Sequence, residues 1–248
     1  MWSVHFLIIA AGVFLFAGFV KGVIGIGLPT IAVALLAATF DLKAGLALIV
    51  VPAFSTNVWQ ATNGGHFVPI VRRLAVFILA AAIGIWLGVG VLSGADALVM
   101  SGVFGIMLCI YCAVALATPQ IPPPGRLEPI IAPFMGIISG FVSGLMGSFV
   151  VPGSLYLQAL GMQRDIFVQA MGITFLCATI ALGVSLVGHG MMPRELGILS
   201  FAALVPALAG MAVGQHVRKR IPEERFRHIF FFGMLALGLY MAMRAFAI

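Results

Sequence analysis

Apolar stretches near twenty residues long recur from one end of this chain to the other. Each is about the length a helix needs to cross a hydrocarbon core of roughly 30 Å. Inside such a core every backbone N–H and C=O must pair within the protein, so only helices and closed barrels are viable. Barrel strands would alternate apolar and polar residues over about ten positions, whereas the run from Leu74 to Leu92 is apolar on every face. The expected fold class is an all-α polytopic membrane protein with about eight to ten membrane segments. Composition agrees: of 248 residues 62% are apolar and 8% charged, and the mean hydropathy is +1.21, too little polar surface to coat a soluble globule of this size.

Apolar runs and their breakers give segments near 3–20, 28–40, 44–61, 74–93 and 97–117, then 130–146, 150–160, 166–188, 196–216 and 226–247. Between the two sets lies a Pro-rich stretch, 118–129, expected to be a linker outside the membrane. The expected organisation is a first transmembrane repeat, 1–117, that linker, and a second repeat, 130–248. Residues 1–5 carry no Lys or Arg, so the first apolar run is expected to be a retained helix and not a cleaved signal. Cys109, Cys112 and Cys177 lie inside apolar runs and suggest helix packing, not a disulfide framework.

The five-part rhythm reflects a duplication. Gly18-Phe19-Val20-Lys21-Gly22-Val23-Ile24-Gly25 matches Gly140-Phe141-Val142-Ser143-Gly144-Leu145-Met146-Gly147 at a separation of 122, with Pro29 and Pro152 following. Gly65-His66 corresponds to Gly188-His189, and Gly84-x-x-x-Gly88 to Gly210-x-x-x-Gly214 at a separation of 126. If every segment crosses, ten basic residues fall on one side (Lys21, Arg72, Arg73, Arg126, Arg164, Arg218, Lys219, Arg220, Arg225, Arg227) and three on the other (Lys43, Arg194, Arg244). If each half crosses four times, the split becomes nearly even. The positive-inside rule thus favours an odd number of crossings per half, inverted repeats and periplasmic termini in a cell inner (plasma) membrane. The same rule accounts for the net charge of +6 without nucleic acid.

The glycine-rich breaks point to chemistry. Gly18-x-x-x-Gly22-x-x-Gly25-x-Gly27-x-Pro29 is expected to interrupt an apolar helix, and unwound backbone is tolerated in a bilayer only where it lines a cavity. The N-terminus of the short helix that follows offers N–H groups and a positive dipole end to an anion. Gly140, Gly144, Gly147 and Pro152 repeat the device. The expected substrate-binding set is Lys21, Gly22, Gly25, Gly27, Pro29, Ser55, Thr56, Asn57, Gln60, Ser143, Gly144, Gly147, Ser148, Pro152 and Thr174. Hydroxyls and amides in this set would replace an anion's hydration shell, with Thr179 and Ser154 as further donors; equally, each would bond a helix backbone. Lys21 would complement the anion's charge or snorkel to the interface. The glycines have small-x-x-x-small helix packing as their plainer role. His66 and His189 read as helix-end caps, and Arg164-Asp165 as a loop ion pair. No ligand spacing calls for a metal, and no cofactor is expected.

With its doubled G-F-V-x-G-x-x-G break, each copy followed by a proline and a short apolar helix, the chain resembles the TauE/SafE sulfite exporter family over essentially its whole length. The resemblance implies export of sulfite, organosulfonates and related sulfur-containing oxyanions, and points at Gly22, Gly25, Gly27, Pro29, Gly144, Gly147 and Pro152. The chain departs from the family's longer glycine run at Gly25-Ile26-Gly27-Leu28 and at Ser148-Phe149. The expected function is a secondary transporter of small anions that alternates access around two breaks facing each other near the midplane. The alternatives are a selective anion channel or a carrier of another small organic anion. An intramembrane enzyme would need Ser143 or Ser148 with His189 as nucleophile and base, yet no G-x-S-x-G or H-E-x-x-H motif occurs, and no G-x-x-x-x-G-K-[ST] loop supplies ATP chemistry. Expected partners are the anion and the lipid bilayer, with a homodimer compatible with the chain.

Overall fold

A computed structural model describes residues 4–25, 27–117, 121–149, 152–218 and 223–246. Among them the chain is all helix: α1 (Val4–Ile24), α2 (Leu28–Thr39), α3 (Leu42–Thr62), α4 (Phe67–Gly94), α5 (Ala97–Ala117), α6 (Glu128–Met146), α7 (Gly153–Ala159), α8 (Arg164–Gly188), α9 (Arg194–Arg218) and α10 (Glu223–Phe246), with a 3-10 turn at Gly125–Leu127. Eight of these helices are long and apolar enough to cross a membrane, and α2 and α7 are short. Residues 118–120 of the linker, Ile26 of the first break, 150–151 of the second and the basic residues Lys219 and Arg220 lie outside the described residues.

Helix ends follow local chemistry. Asp41 caps α3 by accepting the Ala44 N–H at 2.9 Å, and Asp96 caps α5 by accepting those of Leu98 and Val99. Helix α4 begins seven residues before the expected 74, because Pro69 is tolerated in a first turn. Arg73, expected in a loop, is helical and makes a bidentate pair with Glu128 of α6, both bonds at 2.9 Å. Arg164 and Asp165 open α8 in its first turn and do not pair; Arg73–Glu128 is the ion pair among the described residues.

The chain forms two compact units, each drawing helices from both halves of the sequence. The first comprises Met1–Pro52, Ala95–Thr118 and Pro193–Ile248, the second Ala53–Gly94 and Pro119–Met192. In the first, α1 packs along α9; in the second, α6 packs along α4. Lipid tails are as apolar as leucine, so close van der Waals contact holds such seams, and glycine permits it. A Cβ on Gly22 would lie 2.8 Å from Gln215 N and 2.9 Å from Gly214 Cα; one on Gly144 would lie 2.9 Å from Val89 N and 3.0 Å from Gly88 Cα. The two seams are the same contact, displaced by 122 residues on one helix and 126 on the other. Both pairs run parallel: Gly18 meets Ala207 and Gly22 meets Met211, while Gly140 meets Ala81 and Gly144 meets Ile85.

Two further pairs run antiparallel. In the first unit Gly102 of α5 sits by Ala245 of α10, Gly105 by Met241, and Tyr111 against the ring of Phe231. In the second unit Asn57 of α3 meets Thr179 of α8, and Gln60 meets Val168.

Candidate functional site

Helix α1 does not break at Gly18 or Gly22. Both are helical and serve the seam with α9, so the first interruption is confined to Gly25 and Gly27, at φ 93° and 102°. Gly140 and Gly144 likewise belong to the α4 seam, and α6 ends at Gly147, φ 67°. This corrects the broader break read from the sequence: the glycine pattern merges a four-residue packing repeat with the turn that follows it.

At the first break the Gly25 N–H closes α1 on the Lys21 carbonyl at 2.7 Å. Lys21 itself is 8% exposed, an ammonium buried by protein one turn before the break. Helix α2 starts after Gly27 with no side-chain cap and with Pro29 in its first turn; its first backbone bond runs from the Ile31 N–H to the Gly27 carbonyl, 3.0 Å. The first-turn donors thus point toward the break, as a helix N-terminus requires.

The second break opens with the Gly147 N–H on the Ser143 carbonyl, 2.7 Å, and closes at Pro152, which precedes the seven-residue α7. Ser143, Ser148 and Ser154 are all buried. Phe149 within the break packs edge-on against Phe77 of α4 and Phe175 of α8, ring centroids 5.8 and 6.0 Å apart.

The polar residues of α3 divide. Asn57 Nδ2 donates to Thr179 Oγ1 at 3.3 Å, a buried polar contact between α3 and α8, and Gln60 Nε2 donates to the Val168 carbonyl at 3.1 Å. Thr56 donates to Ala53 O, Thr174 to Ala170 O and Thr179 to Phe175 O. A hydroxyl has one proton, so these three spend theirs on their own helices. Ser55 is half-buried on α3.

Three polar side chains that the sequence reading passed over matter locally. Gln169, 1% exposed, accepts the His66 N–H and donates to the Ala61 carbonyl, both at 2.9 Å, tying the α3–α4 turn to α8. Its signal was an amide in an apolar run. Ser200 donates to the Leu48 carbonyl at 2.9 Å, the one that Pro52 leaves without an N–H partner four residues on, and accepts the Val51 N–H. Ser185 is fully buried, and its hydroxyl has no hydrogen-bond partner. His189 caps α8 as read, its Nδ1 2.8 Å from the Ser185 carbonyl and its ring against Trp86; the His66 Nδ1 instead lies 2.7 Å from the Gly64 carbonyl, within the α3–α4 turn and not on a helix end.

A sequence model described as sulfite exporter TauE/SafE matches residues 10–241, a span that takes in both breaks. The chain belongs to that family. Family membership and eight apolar helices make it a multi-pass membrane protein of the sulfite-exporter, anion-transporter type. No curated protein and no solved structure gives a significant match.

Proposed function

We propose that this TauE/SafE member is a secondary carrier that exports small sulfur oxyanions, such as sulfite or sulfonates, by alternating access of two inverted halves around their broken helices. The observation that carries the reading is the first break: a capless helix N-terminus after two positive-φ glycines, with a buried lysine one turn away. Donors and charge of that kind suit an oxyanion stripped of water. Export needs no ATP, since an interior-negative potential drives negative charge outward with roughly 2.3 kcal/mol per charge per 100 mV.

Helix directions within each unit support the inverted arrangement. Let each long helix cross once. Then α10 can run antiparallel to α5 only if an even number of crossings separates them, so α7 must cross along with α6, α8 and α9. The antiparallel pairing of α3 and α8 imposes the same condition. Parallel α1 and α9 then require α2 to cross too, which gives five crossings per half and recovers the ten-to-three charge split. Equivalent positions also touch: Asn57 bonds Thr179 at the repeat separation of 122, and the Cys109 thiol lies 3.7 Å from the Leu235 carbonyl at a separation of 126. Residues related by a two-fold axis meet on that axis, and on antiparallel helices such an axis lies in the membrane plane. Helix α7 is only about 10 Å long, so its unpaired N–H and C=O ends fall within the membrane and need polar lining, which an anion path supplies.

The test is tracer flux of sulfite and small sulfonates into liposomes holding the purified protein. Saturable flux that shows counterflow and follows an imposed potential supports the carrier. Flux that never saturates makes it a channel, and folded protein that moves no such anion overturns the substrate class.

A further inference from the structure

One end of the first unit carries a pocket lined by no residue of either break. It lies where the C-termini of α2 and α10 meet the N-terminus of α5 and encloses about 180 Å³. Phe40, Leu98 and Met241 wall it, with Asp41, Tyr240 and Arg244 as polar lining. Both signs of charge are therefore present. Asp41 commits Oδ2 to the Ala44 N–H. Arg244 reaches the Ala38 carbonyl through one bond of 3.5 Å, too long to be a strong cap of α2. A guanidinium has five N–H donors, so most of its capacity is left for an occupant.

A second cavity, of about 320 Å³, lies between α1, α3 and α9, lined by Phe6, Ala10, Leu48, Ala203 and Pro206 among other apolar side chains. One aromatic pair joins the two: Phe40 walls the first, Phe6 walls the second, and their rings meet edge to face at 4.7 Å. The unit thus offers a zwitterionic mouth at its helix ends, where a bilayer's interface falls, beside an apolar trough along its helices. We propose that this composite site holds one phospholipid with an amine in its headgroup. The phosphodiester sits on Arg244, the ammonium faces Asp41, and an acyl chain fills the trough past Phe6. A free anion would use Arg244 and leave both the carboxylate and the trough without purpose. An anionic lipid lacking an amine would set its charge against Asp41.

Delipidated protein, titrated in detergent with phosphatidylethanolamine, phosphatidylglycerol or inorganic phosphate and read by native mass spectrometry, tests this. One phosphatidylethanolamine should be retained per chain, in preference to phosphatidylglycerol, and phosphate should not displace it. Arg244→Gln should weaken its retention about tenfold, the scale of one lost charge-assisted contact. Asp41→Asn keeps an acceptor for the α3 cap and should erase the preference for the amine lipid. Ala203→Phe should weaken both lipids alike by filling the trough. Thermal unfolding of each variant separates lost binding from lost fold. Equal retention of both lipids by wild-type and folded Arg244→Gln protein would overturn the proposal. So would displacement by phosphate, or an Ala203→Phe protein that binds as before.

Discussion

At the first break two glycines hold φ 93° and 102° and lead through Pro29 into a twelve-residue helix; at the second one glycine holds φ 67° and Pro152 precedes a helix of seven. A φ near 60° is open to Asn as well as Gly, whereas values beyond 90° lie outside that region and favour glycine alone. Helix α2 has turns enough to present a dipole at its uncapped end, while α7 has barely two. A buried lysine accompanies the first break; residues 143–154, around the second, carry no charge and offer Ser143, Ser148, Ser154 and the ring of Phe149. The contrast teaches that two copies of one motif have diverged: the first pairs two positive-φ glycines with a buried lysine, and the second surrounds one such glycine with hydroxyls and an aromatic ring.

The largest effect belongs to what the halves still share. Gly18→Leu and Gly140→Leu would each drive a side chain into the Ala207 or Ala81 backbone of the facing helix and cost about 3 kcal/mol or more. Both variants should fail to give monodisperse protein on size exclusion; if one folds normally, the seams are not equivalent. Next come the breaks. Gly25→Val and Gly147→Val should each abolish sulfite flux while leaving membrane insertion intact, and full activity in both sinks the site. Gly147→Asn should keep most of its flux, and Gly25→Asn should not, although a Cβ at Gly25 meets nothing within 4 Å. The cost there is conformational alone, about 1–2 kcal/mol. Equal tolerance at both positions would erase the distinction between the breaks.

A smaller change is expected at Lys21. Lys21→Met should raise the half-saturating sulfite concentration about tenfold, about 1.4 kcal/mol, with Lys21→Arg restoring it in part. An unchanged half-saturation would return Lys21 to the role of an anchor. Asn57→Ala should be the mildest, lowering thermal stability by about 0.6 kcal/mol, typical of one interhelical hydrogen bond in a membrane. Thr179 keeps its bond to Phe175 in that variant. Any greater loss of flux than of stability would mean that Asn57 also touches the anion.

Helix positions were legible because a bilayer enforces length: the segments read as 28–40, 97–117 and 166–188 are helices Leu28–Thr39, Ala97–Ala117 and Arg164–Gly188. The start of α4 was not, since Arg72 and Arg73 resemble a loop until Glu128 is seen to pair with Arg73. Gly18, Gly22, Gly140 and Gly144 were misassigned to the breaks for a physical reason. A glycine every fourth residue marks a helix face, but sequence names neither its partner helix nor the turn where the helix stops. The α1–α9 and α4–α6 seams each join helices from different halves, pairings that no local pattern encodes. Gln169 and Ser200 were overlooked because their partners are backbone carbonyls and N–H groups far off in sequence.

The central claim is that the two breaks sit in halves of opposite orientation, and loop sidedness tests it most directly. In protein with Cys109, Cys112 and Cys177 replaced, single cysteines at Gly65 and Gly190 mark equivalent turns after α3 and α8. An impermeant maleimide applied to sealed, oriented membranes should label one of them from outside and the other only after the membrane is opened. Labelling of both from the same face would mean four crossings per half, and would contradict the inverted repeat and the carrier mechanism built on it.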